Sequence, residues 1–239
     1  MPAKLVAVDK DLHKNLKVKT SATFEHASTQ HLCLVQIHEF IAASAEYPLV
    51  FVKDPDTGEF RTVAMMGLVP GENLFYNETK WQATYVPNSI QINPWGLAPT
   101  IEDPQQLALC IDIESDMVGE AEGAALYDDE GEQTTYLKNI SDFVGTLHQQ
   151  APVSITFVKY MAETNLLHPQ TLSVTTGDEE KPLKIDGIYT VNTKALEEMS
   201  DEDFLELRKR NYLPVMYAHL ASLGQVGKLA RWKAIADKA

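Results

Sequence analysis

Residues 48–67 read PLVFVKDPDTGEFRTVAMMG. Two apolar runs flank Pro55-Asp56-Thr57-Gly58. Pro presets φ for a turn, Asp can bond its own backbone, and Gly tolerates positive φ. The stretch predicts an antiparallel hairpin with its turn at Pro55 to Gly58. Just upstream, HLCLVQI (31–37) is rich in β-formers and predicts a strand. HEFIAASAE (38–46) has helical composition and must stop before Pro48, which disfavours helix at Tyr47. Downstream, LALCIDIES (107–115) alternates. Leu107, Leu109, Ile111 and Ile113 share one face, and Cys110, Asp112 and Glu114 the other, as in a half-buried strand. TLSVTT (171–176) and LKIDGIYTV (183–191) predict another strand pair around the polar turn Gly177-Asp178-Glu179-Glu180.

Elsewhere the hydrophobic period changes. In 132–149, Tyr136, Leu137, Ile140, Phe143, Val144 and Leu147 form one helical stripe. Pro152 is expected to end that helix, with a second from about Val153 to Leu167 turning Phe157, Tyr160, Met161 and Leu167 inward. Between them and the hairpin, 68–106 is aromatic and loop-rich, with a short helix at Pro87–Ile92. Ser200, followed by three acids, starts a helix through FLELRKRN (204–211). Pro214 then opens a longer helix over 215–235. Strands first and helices later predict an α+β fold, with antiparallel sheets from the N-terminal and middle strands packed with C-terminal helices. The chain reads as one domain, 1–239, with a β-rich part at 1–115 and a helix-rich part at 132–239.

Its 239 residues are 44% hydrophobic and 23% charged, which excludes general disorder and fibrous rods. No apolar run reaches the about 18 residues of a transmembrane helix, and no signal peptide opens the chain. Cys33 and Cys110 fit two buried thiols in a reducing compartment. A cytoplasmic location is expected, without membrane insertion. Net charge is −14, which disfavours nucleic acid. Eleven acids and no Lys or Arg lie between Trp81 and Leu137. Those acids, Asp128, Asp129 and Glu130 among them, are expected to face water. They form either a solvated surface or a docking face for a basic partner or the chain's own basic C-terminal 35 residues.

Motifs with chemistry are sparse. Asp56-Thr57-Gly58 spells an aspartic-protease triplet but has no second copy and sits in turn chemistry. His38-Glu39 starts like a zinc-protease helix, yet Ala42 stands where the second His is needed. His31, Cys33 and His38 lack a fourth ligand. Asp112, Glu114 and Asp116 imitate a calcium loop without its Gly or terminal Glu. No metal or cofactor is expected. Asn77 and Asn139 open glycosylation sequons, which matter only in a secreted protein. Tyr217, His219 and Ser222, with Asp203, are the catalytic candidates. An imidazole three residues from a hydroxyl could move a proton, or could be a packed histidine. Trp81, Tyr85, Trp95, Tyr189 and Tyr217 are expected to share one aromatic region, core or pocket, that with His219 would bind a ligand.

Several stretches together resemble the SapC family of bacterial proteins. They are Glu39-Phe40-Ile41-Ala42-Ala43, Tyr47-Pro48-Leu49-Val50-Phe51, Gly67-Leu68, Asn73-Leu74-Phe75 and Trp81-Gln82-Ala83-Thr84-Tyr85-Val86-Pro87 with Pro94-Trp95. Later come Leu166-Leu167, Gly187-Ile188-Tyr189, Asp203-Phe204 and Tyr217-Ala218-His219-Leu220-Ala221-Ser222-Leu223. The sequence departs from the family pattern at Gln91 and Ile92, where a basic pair is usual, and at Trp95 in place of Phe. If that pair binds an anion in relatives, this chain lacks the site. The resemblance implies a non-catalytic binding or partner protein, working with TonB-type receptors and flavin-dependent halogenase-like or cupin-like neighbours. The alternatives are a surface-layer or export-linked component, and an enzyme with an unrecognised site around His219.

Overall fold

A computed structural model of the chain describes residues 4–20, 23–100, 103, 105–176 and 182–238. The turn at Gly177-Asp178-Glu179-Glu180 and the acid Glu102 lie outside the described residues. In chain order the first elements are β1 (Leu5–Ala7), α1 (Lys10–His13), β2 (Lys17–Val18), β3 (Leu32–Leu34), α2 (Phe40–Ser44), β4 (Leu49–Lys53) and β5 (Phe60–Met65). Then come α3 (Asn88–Gln91), β6 (Trp95–Pro99), β7 (Leu107–Asp112), β8 (Val118–Gly119), β9 (Ala124–Ala125) and α4 (Thr135–Glu163). The last are β10 (Leu167–Val174), β11 (Leu183–Val191), α5 (Thr193–Glu197), α6 (Asp201–Lys209), α7 (Leu213–Ser222) and α8 (Val226–Ala236). The fold class is α+β, and every strand pairing is antiparallel.

Residues divide into two compact units, 1–22 with 91–149, and 23–90 with 150–239. The larger unit holds a five-stranded sheet in the order β10-β11-β4-β5-β3. Its centre is the expected hairpin, in register from Leu49 opposite Ala64 to Lys53 opposite Phe60. Asp54 Oδ1 accepts the backbone N–H groups of Asp56 and Thr57, each at 3.0 Å. Those two donors hold its carboxyl below the usual carboxylate range. Gly58 sits at φ 73°, so the triplet is a turn. Helix α2 follows a 3-10 turn over Ile37–Glu39. Pro169 is tolerated in β10 because β10 is an edge strand, and the strand starts at Leu167, earlier than the expected 171.

The smaller unit has two three-stranded sheets, β1-β7-β6 and β8-β2-β9. Its core gathers Val18, Trp95, Ile111, Leu126, Leu137 and Val144. The expected alternation of β7 needs correction. Ile111 is buried, but so is Cys110, and Leu107 and Ile113 are exposed. Cys110 and Ile111 point to opposite faces and both are buried, so the strand is covered on both faces at its centre and open at its ends.

Two helix expectations are corrected. Pro152 does not end a helix; α4 runs 29 residues through it. Pro152 removes one N–H, which would have bonded the carbonyl of His148. His148 and Pro152 both face solvent, so water can satisfy that carbonyl. The burial of Phe157, Val158 and Met161, about 1.5–3 kcal/mol per large side chain, outweighs the β-branched Val153, Ile155 and Thr156. Conversely, the single helix expected after Pro214 is two, α7 and α8, with a 3-10 turn at Leu223–Gln225 between them. Ser200 caps α6 as expected, its Oγ accepting from Asp203 N and donating to Asp203 Oδ2.

Candidate functional site

Strands β4 and β11 pair at only two positions, Val52 with Ile188 and Phe51 with Tyr189. Extending that register would bring Leu49 opposite Val191, yet no rung forms there. Instead α7 inserts two side chains. Leu49 N–H donates to Ser222 Oγ at 2.9 Å, and Val191 N–H donates to His219 Nε2 at 3.1 Å. Three residues apart, His219 and Ser222 lie on the same side of α7. The Ser222 hydroxyl donates to the His219 carbonyl at 2.6 Å. An Nε2 that accepts must be unprotonated, which puts the proton on Nδ1. That Nδ1 is buried and has no hydrogen-bond partner among the described residues. Burial pushes the imidazole down to about 4, with the Leu49 backbone countering part of the effect. Phe51 packs 5.0 Å from the ring. His219 is therefore a neutral acceptor for backbone.

Among the catalytic candidates, only His219 and Ser222 come together. Tyr217 is 52% exposed on another side of α7. Asp203 is exposed and bonded to Ser200.

A second buried network lies in the same unit. Glu39 is 3% exposed. Its Oε1 accepts the Tyr85 hydroxyl at 2.6 Å and Asn88 N–H at 2.8 Å, and its Oε2 accepts Gln36 N–H at 2.9 Å. Tyr47 donates its hydroxyl to the Tyr85 carbonyl at 2.6 Å and accepts from Trp81 Nε1 at 2.7 Å. Phe75 lies 4.3 Å from Tyr47 and 5.0 Å from Trp232, measured between rings. Burial raises the Tyr47 and Tyr85 phenols and pushes the Cys33 thiol up to about 12, so none is poised to ionise near neutral pH. Sequence reasoning gave Glu39 no site role, taking it as part of a failed zinc motif and of a family-like stretch. The signal present was Gln36-x-x-Glu39, a capping box for the 3-10 turn.

The expected single aromatic region is formed only in part: Trp81, Tyr85 and Tyr189 belong to the core of the larger unit, and Trp95 and Tyr217 do not. Trp81 and Tyr85 share the network around Tyr47. Trp95 belongs to the core of the smaller unit, 6.2 Å from Tyr136. Tyr189 meets Phe60 edge-on at 4.8 Å, and Tyr217 is exposed. Strand alternation sends Tyr189 to the hairpin rather than to Trp81.

The larger unit also contains an open groove of about 330 Å3. Val52 and Met65 contribute apolar surface, with Gly67–Pro70 and Leu183–Ile188 also lining it. A Cβ on Gly67 would lie 2.3 Å from the Glu72 carbonyl oxygen, so only glycine lets this turn close. Glu72 ties the turn down. Its Oε2 accepts Leu68 N–H at 3.0 Å, and its Oε1 pairs with Lys233 Nζ of α8 at 3.0 Å.

In the smaller unit nine of the ten described acids of the Lys/Arg-free stretch are exposed, Asp112 being half-buried. Within this unit three of the acids pair with lysines. Lys4 pairs with Glu114 at 3.6 Å, Lys10 with Glu132 at 3.8 Å, and Lys19 with Glu122 at 3.1 Å. All three bases come from the first 22 residues, because β1 and β2 build the same sheets as β7, β8 and β9. Asp128 Oδ1 accepts from Glu130 and Glu132 N–H, shaping the loop that presents Asp129 and Glu130.

Fold and site thus describe an α+β protein whose family-like motifs converge on buried networks, beside an accessible groove. A SapC family model matches residues 8–229, and the chain belongs to the SapC family. No curated protein and no solved structure matches it. Among the described residues, no helix is long and apolar enough to cross a membrane.

Proposed function

We propose that this SapC-family protein is a non-catalytic binding or partner protein, and that the groove is where it binds. One observation carries the reading. Its buried polar side chains Glu39, Tyr47, His219 and Ser222 spend hydrogen bonds on backbone groups and the half-buried Tyr85 hydroxyl is held by Glu39, while the groove leaves apolar surface accessible. In that role it would act in the cytoplasm, handling an imported compound or serving receptor- and halogenase-like neighbours. The test is native mass spectrometry of the full-length protein purified from expressing cells, beside a Val69→Arg variant. Val69 is half-buried on the groove wall and tolerates a long side chain at its rim. A stoichiometric ligand or partner is expected on the wild type, retained at least tenfold less by the variant and not consumed. Equal retention would remove the groove from the assignment. Consumption abolished by Tyr217→Phe, a change at an exposed ring, would make the protein an enzyme.

The exposed Asp129 and Glu130 favour a second contact, an electrostatic face for a basic partner. Surface pairs are worth about 0–1 kcal/mol, so the gain lies mainly in association rate. Replacing Asp128, Asp129 and Glu130 by Asn, Asn and Gln is expected to slow association severalfold at low salt and little at high salt. An unchanged rate and salt dependence would leave this loop as a solubilising surface only.

A further inference from the structure

Six consecutive residues of one strand, Leu183–Ile188, line the groove. A strand face offers only alternate residues to a cavity, because successive side chains point to opposite sides. A continuous run is what a strand edge offers. The pairing agrees. β11 is joined to β10 along most of its length, but β4 pairs only with Ile188 and Tyr189. At Gly187, φ 80°, the register with β10 shifts, and β11 leaves β4. Among the described residues no strand pairs with Leu183–Gly187 on the β4 side. Such an edge carries N–H and C=O groups that seek another strand.

We propose that the groove receives an extended segment of a partner protein, which adds a strand to β11 along Leu183–Gly187. This rests on the groove being the binding site. The occupant is specified by the edge itself. Leu183 and Ile185 are half-buried while Lys184 and Asp186 are exposed. The partner strand therefore has apolar residues at alternate positions, seated on the half-buried Leu32, Val52 and Val69. Its intervening residues carry an acid opposite Lys184 and a base or hydroxyl opposite Asp186. Lys184 has no ion pair among the described residues, and Asp186 accepts only the Thr171 hydroxyl, at 2.6 Å. Five residues of strand extend about 17 Å, so the recognised segment is short. Lys184 and the Gly187 bulge are the features by which an open edge avoids indiscriminate pairing, which suits a selective partner.

The test uses the full-length protein and a displayed library of blocked heptapeptides, apolar at alternate positions with Glu, Lys or Thr between. The best binder is then synthesised twice, once plain and once with alternate backbone amides N-methylated. N-methylation keeps the side chains and removes the donors a ladder needs. The plain peptide is expected to slow hydrogen exchange at Leu183–Gly187 at least tenfold. Val69→Arg, checked for an unchanged melting temperature, should weaken it at least tenfold, and the methylated peptide should lose binding to the same degree. Equal binding by the methylated peptide overturns the strand and leaves a side-chain pocket. A library that enriches nothing, while Val69→Arg still loses the ligand retained by the wild type, overturns the strand but keeps the binding reading. Protection of the same amides without peptide, growing with protein concentration, would make the occupant a second copy of this chain and overturn the proposal.

Discussion

Glu39→Ala is expected to destabilise the protein by about 4 kcal/mol, seen as a shift of the urea midpoint and a fall of roughly 10 °C in Tm. The carboxylate is buried and accepts three donors, the Tyr85 hydroxyl and the N–H groups of Asn88 and Gln36. Removing it leaves those groups short of an acceptor, and hydrogen bonds to a charged partner are worth about 1.5–3 kcal/mol each. Glu39→Gln keeps the volume but turns an NH2 group toward donors, so it should cost less than the alanine and more than Tyr85→Phe. A loss under about 1 kcal/mol for the alanine would show that the network is not what joins 81–88 to α2.

His219 gives the second large effect. Its unfolded-state value is 6.5 and its folded value about 4. Between those values the unfolded chain binds a proton that the folded protein refuses. The stabilisation is complete above pH 6.5, is lost progressively as pH falls toward 4, and then levels off. The gap corresponds to about 3 kcal/mol. Other groups also titrate in this window, so the measurement is the difference between wild type and His219→Gln. Gln offers Oε1 to Val191 N–H and does not protonate. The variant should lose less stability from pH 7 to pH 4 than the wild type by about 3 kcal/mol. Parallel curves would mean the imidazole reaches water.

The hairpin was readable because its turn chemistry is local: Asp54 to Gly58 close on themselves. The cap at Ser200 was readable for the same reason. Pro152 misled because its effect depends on where its lost partner faces, and the exposure of His148 is a tertiary fact. The site was legible only in part. Trp81 and Tyr85 were singled out as aromatics in family-like stretches and His219 and Ser222 by their helical spacing, but their partners Glu39, Tyr47, Leu49 and Val191 are 28 to 173 residues away. No spacing rule links residues across such distances. The acidic stretch was read correctly as exposed. Three of its acids pair with Lys4, Lys10 and Lys19, which strand order and not sequence proximity brings to them.

The two α7 side chains that stand in for a rung between β4 and β11 have a consequence for biosynthesis. Leu49 leaves the ribosome 173 residues ahead of Ser222. Until α7 is made, the central sheet has a seam with two backbone donors and nothing to receive them. A chain that stops before Leu213 never acquires the parts that close it. Completion of the central sheet thus waits on the last helices, and a chain released before them leaves the Leu49 and Val191 donors without their acceptors.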